Sequence, residues 1–303
     1  RLRESKQPCR SPIAYVAIAR EFTLSLEASP KILVIRRDNI GDLVCTTPLI
    51  SALRQRFPQG WLGALVNSYN APVLDGNPDL DEVFVYTKAK HRGHGESLPG
   101  ILWRRLNMMR RLRTMGLDDV IIAAPAFQPR LISIAKWLKP KRIIGFGKGA
   151  GLDVSLPLDS GRLHEVEDVF RVASIYGIAL PPPACRVCAP PTVARRQGDP
   201  DGTTLTIGIH ISARKPSQRW SVASFAETIR AIAAQGPVRF LLLWSPGAED
   251  NPLHPGDDAK ARAVMEEVGA SALVAPRPTA TLAELIGALA ECDALICADG
   301  GAM

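Results

Sequence analysis

One short segment near the start of the chain restricts the possible folds more than any other: a strand, a polar loop and a helix entrance in direct succession. Residues 31–48 read KILVIRRDNIGDLVCTTP. The run from Ile32 to Ile35 is continuously apolar and rich in β-branched residues, which is typical of a strand buried on both faces of a parallel sheet. Apolar residues at helical spacing then run from Leu43 to Phe57. The segment predicts an α/β unit with a parallel sheet.

Gly41 and Asp42 fall at the entrance of this predicted helix. A carboxylate in that position has two uses. It can stabilise the helix N-terminus through its charge, or it can act as a base. Open α/β sheets bind their ligands in the crevice at the carboxyl ends of the strands, where this loop must lie. Spacing alone leaves both roles of Asp42 open.

Length and composition indicate a globular protein of about two domains. The chain has 303 residues, of which 46% are hydrophobic and 22% charged. No apolar run approaches the roughly 18 residues of a membrane span. The net charge of +7 favours an anionic partner, and nucleic acid, an anionic membrane surface, a nucleotide or a phosphorylated glycolipid all fit it.

The six cysteines do not form the pattern of a disulfide framework, so we expect a cytoplasmic protein. Cys185 and Cys188 make a single CxxC with no second pair at zinc-ligand spacing. We therefore predict no metal site and no cofactor.

The alternation of strands and helices divides the chain into four parts. Residues 1–29 form an arm, and residues 30–180 form an α/β domain of βαβ units. Residues 181–203 contain PPPACRVCAPP and RRQGDPDG, a composition typical of a linker. Residues 204–303 restart the alternation. Because the chain stops just after a predicted strand that a helix should cover, we expect this second domain to be C-terminally incomplete.

The second domain carries its own polar loop after its first strand. Residues 210–220 read HISARKPSQRW, with three cations and two serines ahead of a predicted helix. Such a loop can hold a diphosphate by charge-assisted hydrogen bonds, or it can be an ordinary solvated loop. Gly300 and Gly301 similarly allow close approach of a phosphate or form a plain turn.

Two further charged segments also have two interpretations each. The loop KAKHRGH, residues 88–94, either meets an acidic acceptor or is a basic surface loop. The helix WRRLNMMRRLR, residues 103–113, is basic, and Leu102, Leu106, Met109 and Leu112 follow one another at helical spacing. Either the helix contacts anionic lipid or a phosphorylated acceptor, or these four apolar residues pack against the core and the basic face is solvated. The acidic cluster His164, Glu165, Glu167 and Asp168 suits a helix N-terminus.

Four motifs occur together in one order: RRDNIGDLVCTTPLISALRQRFP, GNPDLDEV, HISARKPSQRW and LAELIGALAECDALICADGGAM. In this combination the chain resembles glycosyltransferase family 9, the heptosyltransferases of lipopolysaccharide core synthesis. The resemblance implies an α/β protein of GT-B architecture, with two Rossmann-like doubly wound domains facing across a cleft. It also implies an acceptor on the N-terminal half and an ADP-heptose type of donor on the C-terminal half.

The resemblance implies roles for individual residues. Asp42 takes the place of the catalytic base of an inverting transfer, which requires no metal. Acceptor-binding residues would be Asn39, Gly41, Lys88 and Arg92. Donor-binding residues would be Ser212, Ala213, Lys215, Gln218, Arg219, Asp299, Gly300 and Gly301.

One departure from the family pattern opens an alternative. Gln218 stands where family members usually carry a lysine, and an amide cannot neutralise phosphate charge. The alternative is a catalytically inactive protein of the same fold that binds a nucleotide sugar or another anion. For the enzyme we expect as partners the nucleotide sugar, a lipopolysaccharide-type glycolipid and the inner face of the inner membrane as a peripheral contact. Nucleic-acid binding would rest on net charge alone, and we expect none.

Overall fold

The computed structural model describes residues 29–87, 98–149, 151–159, 161, 163–179, 181–190, 204–213, 215–249, 256–269 and 273–298. The chain divides into two compact units. The first comprises Arg1–Ala71 and Pro78–Arg186, and the second Pro72–Asn77 and Val187–Met303. The predicted N-terminal arm, apart from Ser29, and the second half of the predicted linker lie outside the described residues. The domain boundaries given above stay a prediction.

The first unit contains a parallel sheet of six strands in the order β3-β2-β1-β4-β5-β6. The strands are β1 (Lys31–Ile35), β2 (Trp61–Asn67), β3 (Glu82–Tyr86), β4 (Asp119–Ile122), β5 (Arg142–Phe146) and β6 (Val154–Leu156). The central strand β1 is buried from Ile32 to Ile35, as its continuous apolar run predicts.

Five helices accompany this sheet: α1 (Ile40–Val44), α2 (Thr47–Arg56), α3 (Leu98–Thr114), α4 (Pro129–Leu138) and α5 (Glu165–Phe170), the last continued by a 3-10 helix, Arg171–Tyr176. Leu33 and Ile35 belong to one apolar cluster with residues of α3 and α4. Ile32 and Val34 are also buried and point to the opposite face, because side chains alternate along a strand.

The single helix predicted from Leu43 to Phe57 is two helices, so that prediction was wrong. Pro48, in the first turn of α2, has no N–H to donate to the carbonyl of Val44, four residues before it. The hydroxyl of Thr47 donates to that carbonyl instead, at 2.7 Å. The chain therefore turns after Val44, and α1 is a separate five-residue helix that contains Asp42.

The second unit contains a parallel sheet of four strands in the order β10-β7-β8-β9. Its strands are β7 (Leu205–His210), β8 (Val238–Trp244), β9 (Val274–Pro278) and β10 (Ala294–Cys297), and its helices are α6 (Val222–Ala233), α7 (Asp258–Val268) and α8 (Leu282–Ala290). Residues of α6 and α7 pack in one apolar cluster with Ile207 and Ile209. Residues of α8 pack in another with Leu241 and Leu243, so helices cover both faces.

The two sheets share one feature of topology that determines where a ligand can bind. In the first sheet the chain adds β2 and β3 on one side of β1 and then crosses to the other side for β4. In the second it adds β8 and β9 on one side of β7, and β10 lies on the other. Doubly wound sheets bind ligands at this switch point, outside the carboxyl ends of the strands. The loops after β1 and β7 both lie there.

Candidate functional site

Asp42 is the third residue of α1, in the loop region that follows β1. Its Oδ2 atom accepts hydrogen bonds from the backbone N–H and the side-chain Nδ2 of Asn39, both at 3.0 Å. Its Oδ1 atom lies 3.6 Å from Nη2 of Arg36 and accepts no hydrogen bond from the described residues. With 29% of its side chain exposed, Asp42 has a carboxylate that is oriented by Asn39 and is partly accessible to a ligand.

The guanidinium of Arg36 joins three carboxylates at this point. Only 3% of its side chain is exposed, while Nη2 bonds to Oε1 of Glu165 at 2.6 Å and Nε lies 3.3 Å from Oδ2 of Asp38. Its Nη1 atom donates to the carbonyl of Ala123, which follows β4. Its closest carboxylate is thus Glu165, at the start of α5, and Asp42 is the most distant of the three. Asp42 is therefore only partly neutralised.

Two buried asparagines at and just after the end of β2 hold the loop that leads to Asp42. Asn67 donates from Nδ2 to the carbonyls of Arg37 and Asp38, at 2.8 and 3.3 Å. Asn70 donates to the carbonyl of Asp38 at 3.3 Å, and its Oδ1 accepts from the backbone N–H of Asn67 at 3.1 Å. Because these amides are fully buried, the backbone at residues 37 and 38 is fixed from within the fold.

The residues predicted to bind an acceptor fall into two groups. Asn39 and Gly41 lie beside Asp42, and a Cβ atom built on Gly41 would meet no atom within 4 Å. Packing of the chain therefore does not require glycine there, and the surface of α1 is open at that point. Lys88 and Arg92 lie outside the described residues.

The loop after β7 is braced by its neighbours in the second unit. Ser212 accepts at Oγ from the backbone N–H of Ser245, at 2.9 Å. The guanidinium of Arg219 donates from Nε to the carbonyl of Ala213 at 3.0 Å and pairs through Nη1 with Oε1 of Glu249 at 2.7 Å. This part of the structure brings the predicted donor residues Ser212, Ala213 and Arg219 together with the loop that follows β8.

The other predicted donor residues are divided between the surface and the part of the chain that is not described. Lys215 is exposed, and its carbonyl accepts from the backbone N–H of Gln218 at 3.0 Å across the 3-10 turn Pro216–Gln218. Arg219 is already paired with Glu249. Of the described cations of this loop, Lys215 is therefore the one that faces solvent. Asp299, Gly300 and Gly301 lie outside the described residues.

A buried histidine and a half-buried lysine lie next to the same loop. His210, the last residue of β7, is 7% exposed, and its Nδ1 atom has no hydrogen-bond partner in the described structure. Burial lowers the pKa of His210 to about 4, opposed by the charge of Asp257 and reinforced by that of Lys260. Lys260 donates from Nζ to the carbonyl of Ile211 at 3.1 Å, and burial lowers its pKa. The lysine thereby fixes the start of the loop.

Sequence reasoning missed Arg36, Asn67, Asn70 and Lys260. An arginine directly after a buried strand and two asparagines three residues apart after the next strand were available as signals. Glu165 was interpreted only as a charge at a helix N-terminus, and its partner Arg36 is 129 residues away along the chain. Among the residues that the structure describes, no group of three or more His, Cys, Asp or Glu side chains could hold a metal ion.

Solved structures similar to this fold include heptosyltransferases. A glycosyl transferase of family 9 from Veillonella parvula matches with a TM-score of 0.71 and 21% identity, over 92% of this chain and 78% of its own. The E. coli heptosyltransferase WaaC with ADP-2-deoxy-2-fluoro heptose matches with a TM-score of 0.67 and 16% identity, over 89% and 83%. E. coli ADP-heptose lps heptosyltransferase II matches with a TM-score of 0.62 and 17% identity, over 89% of this chain and 80% of its own. These matches confirm the predicted α/β class and GT-B architecture.

Comparison of sequences identifies the family. No curated protein matches the chain. The model of glycosyltransferase family 9 (heptosyltransferase) matches residues 105–303, which is well over half of the chain and includes the whole loop after β7. Asp42 and its neighbours precede the matched residues. The protein is a glycosyltransferase and belongs to family 9, the heptosyltransferase family.

Proposed function

We propose that this glycosyltransferase moves heptose, or a related sugar, from an ADP-sugar to a lipopolysaccharide core-type acceptor with inversion, and that Asp42 is the general base. The observation that carries the proposal is a partly exposed carboxylate, oriented by two hydrogen bonds from Asn39, at the switch point of the first sheet. Family membership supplies the reaction class, and the similarity to E. coli ADP-heptose lps heptosyltransferase II supports the donor class.

The chemistry assigned to Asp42 is a single proton transfer. An acceptor hydroxyl attacks the anomeric carbon on the face opposite the diphosphate, and the bond from that carbon to the diphosphate oxygen breaks. The transition state resembles an oxocarbenium ion, and the hydroxyl becomes acidic as its oxygen bonds to carbon. Oδ1 of Asp42 takes the proton, and Oδ2 keeps its hydrogen bonds to Asn39. The proton later passes to solvent.

The leaving ADP carries the negative charge that the reaction releases, so cations and N–H donors near it lower the barrier. In our proposal the loop after β7 supplies them, with Lys215 as a charge and Ser212, Ala213, Gln218 and Arg219 as further contacts. Asp299, Gly300 and Gly301, which follow β10 in the sequence, are the remaining proposed donor contacts. The bracing of Ser212 and Ala213 supports this role, because a fixed loop needs no reorganisation when charge develops. Asn39, Gly41, Lys88 and Arg92 are the proposed acceptor contacts.

The decisive experiment compares two carboxylates of the same loop. Asp42→Asn keeps the size of the side chain and an oxygen for Asn39, but it removes the base. We expect kcat to fall about 10³-fold, within the range for loss of a general base, with little change in KM. Asp38→Asn is the matched control because Asp38 also contacts Arg36, and it should change kcat less than about tenfold. Wild-type transfer rates for Asp42→Asn would show that the base is another group.

The same assay tests the donor and the inactive alternative. Transfer is measured with ADP-heptose against a panel of truncated lipopolysaccharide cores, and ADP binding is measured by calorimetry for every variant. Unchanged ADP binding by Asp42→Asn would separate a lost chemical step from lost donor affinity. ADP binding with no turnover across the panel would contradict the proposed transfer and favour a protein that only binds a nucleotide sugar.

We also propose that helix α3 touches an anionic membrane surface on the cytoplasmic side. Leu112 is buried and Met109 packs against the core, as expected, but Leu102, Trp103 and Leu106 are exposed on a helix rich in arginine. A basic helix with exposed apolar residues suits the interface of an anionic bilayer. No helix of the described residues is long and apolar enough to cross a membrane. Reduced cosedimentation of Trp103→Ser with anionic vesicles would support the contact, and unchanged cosedimentation would exclude it.

A further inference from the structure

Two arginines from different elements stack on the ring of one tyrosine in the first unit. Tyr86 is the last residue of β3, and Cζ of Arg37 lies 3.7 Å from the centroid of its ring. Cζ of Arg105, on α3, lies 4.2 Å from the same centroid. A ring has two faces, and two guanidinium groups at stacking distance cannot share one, so Tyr86 separates a pair of like charges.

Neither cation of this pair is neutralised by a carboxylate. Arg37 and Arg105 form no ion pair within the described residues. One turn and a half further along α3, Arg111 makes a bidentate pair with Glu82 at the other end of β3, at 2.6 and 2.8 Å. At the amino end of β3 the arginine of α3 is thus paired with a carboxylate. At the carboxyl end the arginine of α3 stacks on an aromatic ring and has no carboxylate partner among the described residues.

Arg37 is held in this position by the fold. Its carbonyl accepts the 2.8 Å hydrogen bond from the buried Asn67, and its Nε atom is buried without a hydrogen-bond partner in the described structure. Burial lowers the pKa of Arg37, the charge of Arg105 adds to that effect, and Tyr86 and Asp38 oppose it. A guanidinium with its backbone fixed in this way at the carboxyl edge of the sheet, and with a second one across the Tyr86 ring, offers N–H donors to an anion.

We propose that Arg37 and Arg105, spaced by the ring of Tyr86, bind an anionic group of the acceptor, either a carboxylate or a phosphate ester. The inference rests on the proposed function, since it assigns the anion to the acceptor of Asp42, five residues from Arg37. The pair selects acceptors that carry such a group and fixes their approach to α1. Arg37 and Arg105 are binding residues in this role and take no part in proton transfer.

Binding is tested directly on the full chain with simple anions. The Nε–Hε resonances of Arg37 and Arg105, assigned from the Arg37→Gln and Arg105→Gln variants, are followed by NMR during titration with inorganic phosphate and, separately, with acetate. We expect both resonances to shift with one common saturation curve for at least one anion, and the preferred anion distinguishes phosphate from carboxylate. The resonance of Arg110, an exposed arginine of the same helix, serves as the reference. Shifts no larger than those of Arg110 would overturn the proposal.

The acceptor role is tested by transfer kinetics with a delipidated core oligosaccharide. We expect Arg37→Gln and Arg105→Gln each to raise the acceptor KM about tenfold, the loss typical of one charge-assisted hydrogen bond, with kcat changed less than twofold. Arg110→Gln removes the same charge from the same helix and should leave KM unchanged. An acceptor stripped of its phosphates, or with its carboxyls reduced, should abolish the difference between wild type and variants for the group that the pair binds.

The two proposals can fail separately. If Asp42→Asn stops transfer while Arg37→Gln and Arg105→Gln behave as Arg110→Gln, the anion site is overturned and the base assignment is supported. If no acceptor of the panel is glycosylated, the proposed transfer fails. In that case saturable, shared shifts of the two Nε–Hε resonances still support an anion site, and their absence overturns it.

Discussion

The loops after β1 and β7 occupy equivalent positions in the two sheets, yet they are held in different ways. The first loop is held from inside: Arg36 is 3% exposed, and buried asparagines bond to the carbonyls of residues 37 and 38. The second is held over its first three residues, Ile211, Ser212 and Ala213, which accept hydrogen bonds from Lys260, Ser245 and Arg219. Glu249, the partner of Arg219, is 70% exposed. The difference is one of burial.

If the two loops have the roles that we propose, their different support matches two different tasks. A general base must be within hydrogen-bond reach of one hydroxyl, so its carboxylate benefits from a rigid, buried support. A diphosphate presents many oxygens and is bound by several weaker contacts, so an exposed cation such as Lys215 suffices for part of its recognition. The predictions below test whether burial is the relevant difference.

The largest effect is expected from removing the buried cation of the first loop. Arg36→Met leaves the carboxylates of Glu165, Asp38 and Asp42 without their shared partner and removes the bond to the carbonyl of Ala123. We expect the free energy of unfolding to fall by about 3 kcal/mol, towards the lower end for broken buried pairs because the carboxylates are partly solvated. Urea denaturation followed by circular dichroism measures it.

The matched substitution in the second loop is Arg219→Met. Its ion pair with Glu249 is largely exposed, and such pairs contribute little, so we expect a loss of about 1 kcal/mol together with the bond to Ala213. Arg36→Lys, which keeps a charge, should lie between the two. Equal losses for Arg36→Met and Arg219→Met would show that burial does not distinguish the loops.

A second prediction concerns the stability of the second unit, which should fall at acidic pH because of His210. Because burial lowers the pKa of His210 to about 4, the folded chain excludes a proton that the unfolded chain binds below pH 6.5. The unfolded state then holds more protons, so stability falls as the pH decreases from about 6.5 to 4. We expect His210 to account for about 2 kcal/mol of lost stability between pH 7 and pH 5. Unfolding free energies from urea denaturation at each pH measure this loss.

His210→Leu is the variant that tests this dependence, because leucine is apolar and cannot bind a proton. Its absolute stability is not the readout. The difference between its unfolding free energies at pH 7 and pH 5 should be smaller than that of the wild type by the same 2 kcal/mol. An identical difference in the two proteins would mean that His210 titrates normally in the folded chain.

Much of the fold was predictable because the central strands are continuous apolar runs. The apolar run from Ile32 to Ile35 predicts the central strand β1, which is observed from Lys31 to Ile35. The strand β9 was missed because it reads VAPRP, and two prolines argue against a strand. As an edge strand it pairs only with β8, and edge positions tolerate proline. Its sequence therefore carried no usable strand signal.

The candidate site was predictable only where its residues are adjacent in sequence. Asn39, Gly41 and Asp42 occupy one loop and one helix turn. The structure confirms the capping interpretation of Asp42, whose Oδ2 accepts from the backbone N–H of Asn39, and the catalytic interpretation stays a proposal. The pairing of Arg36 with Glu165 depends on the order β1-β4 in the sheet and on where α5 begins. No spacing rule connects residues that are so far apart along the chain.

The smallest expected effect concerns Gln218, where we expect family members to carry a lysine. Gln218→Lys places a cation at the 3-10 turn beside the exposed Lys215, where its charge can reach solvent and a bound diphosphate. An exposed charge contributes less than about 1 kcal/mol, so we expect the Kd for ADP to fall two- to fivefold. Calorimetry at low salt measures it, and the gain should shrink as salt is raised. Gln235→Lys, just after the C-terminal end of α6, is the control for net charge. A gain of the same size in both variants would show that the second loop attracts the nucleotide through overall charge, and that residue 218 has no special place in it.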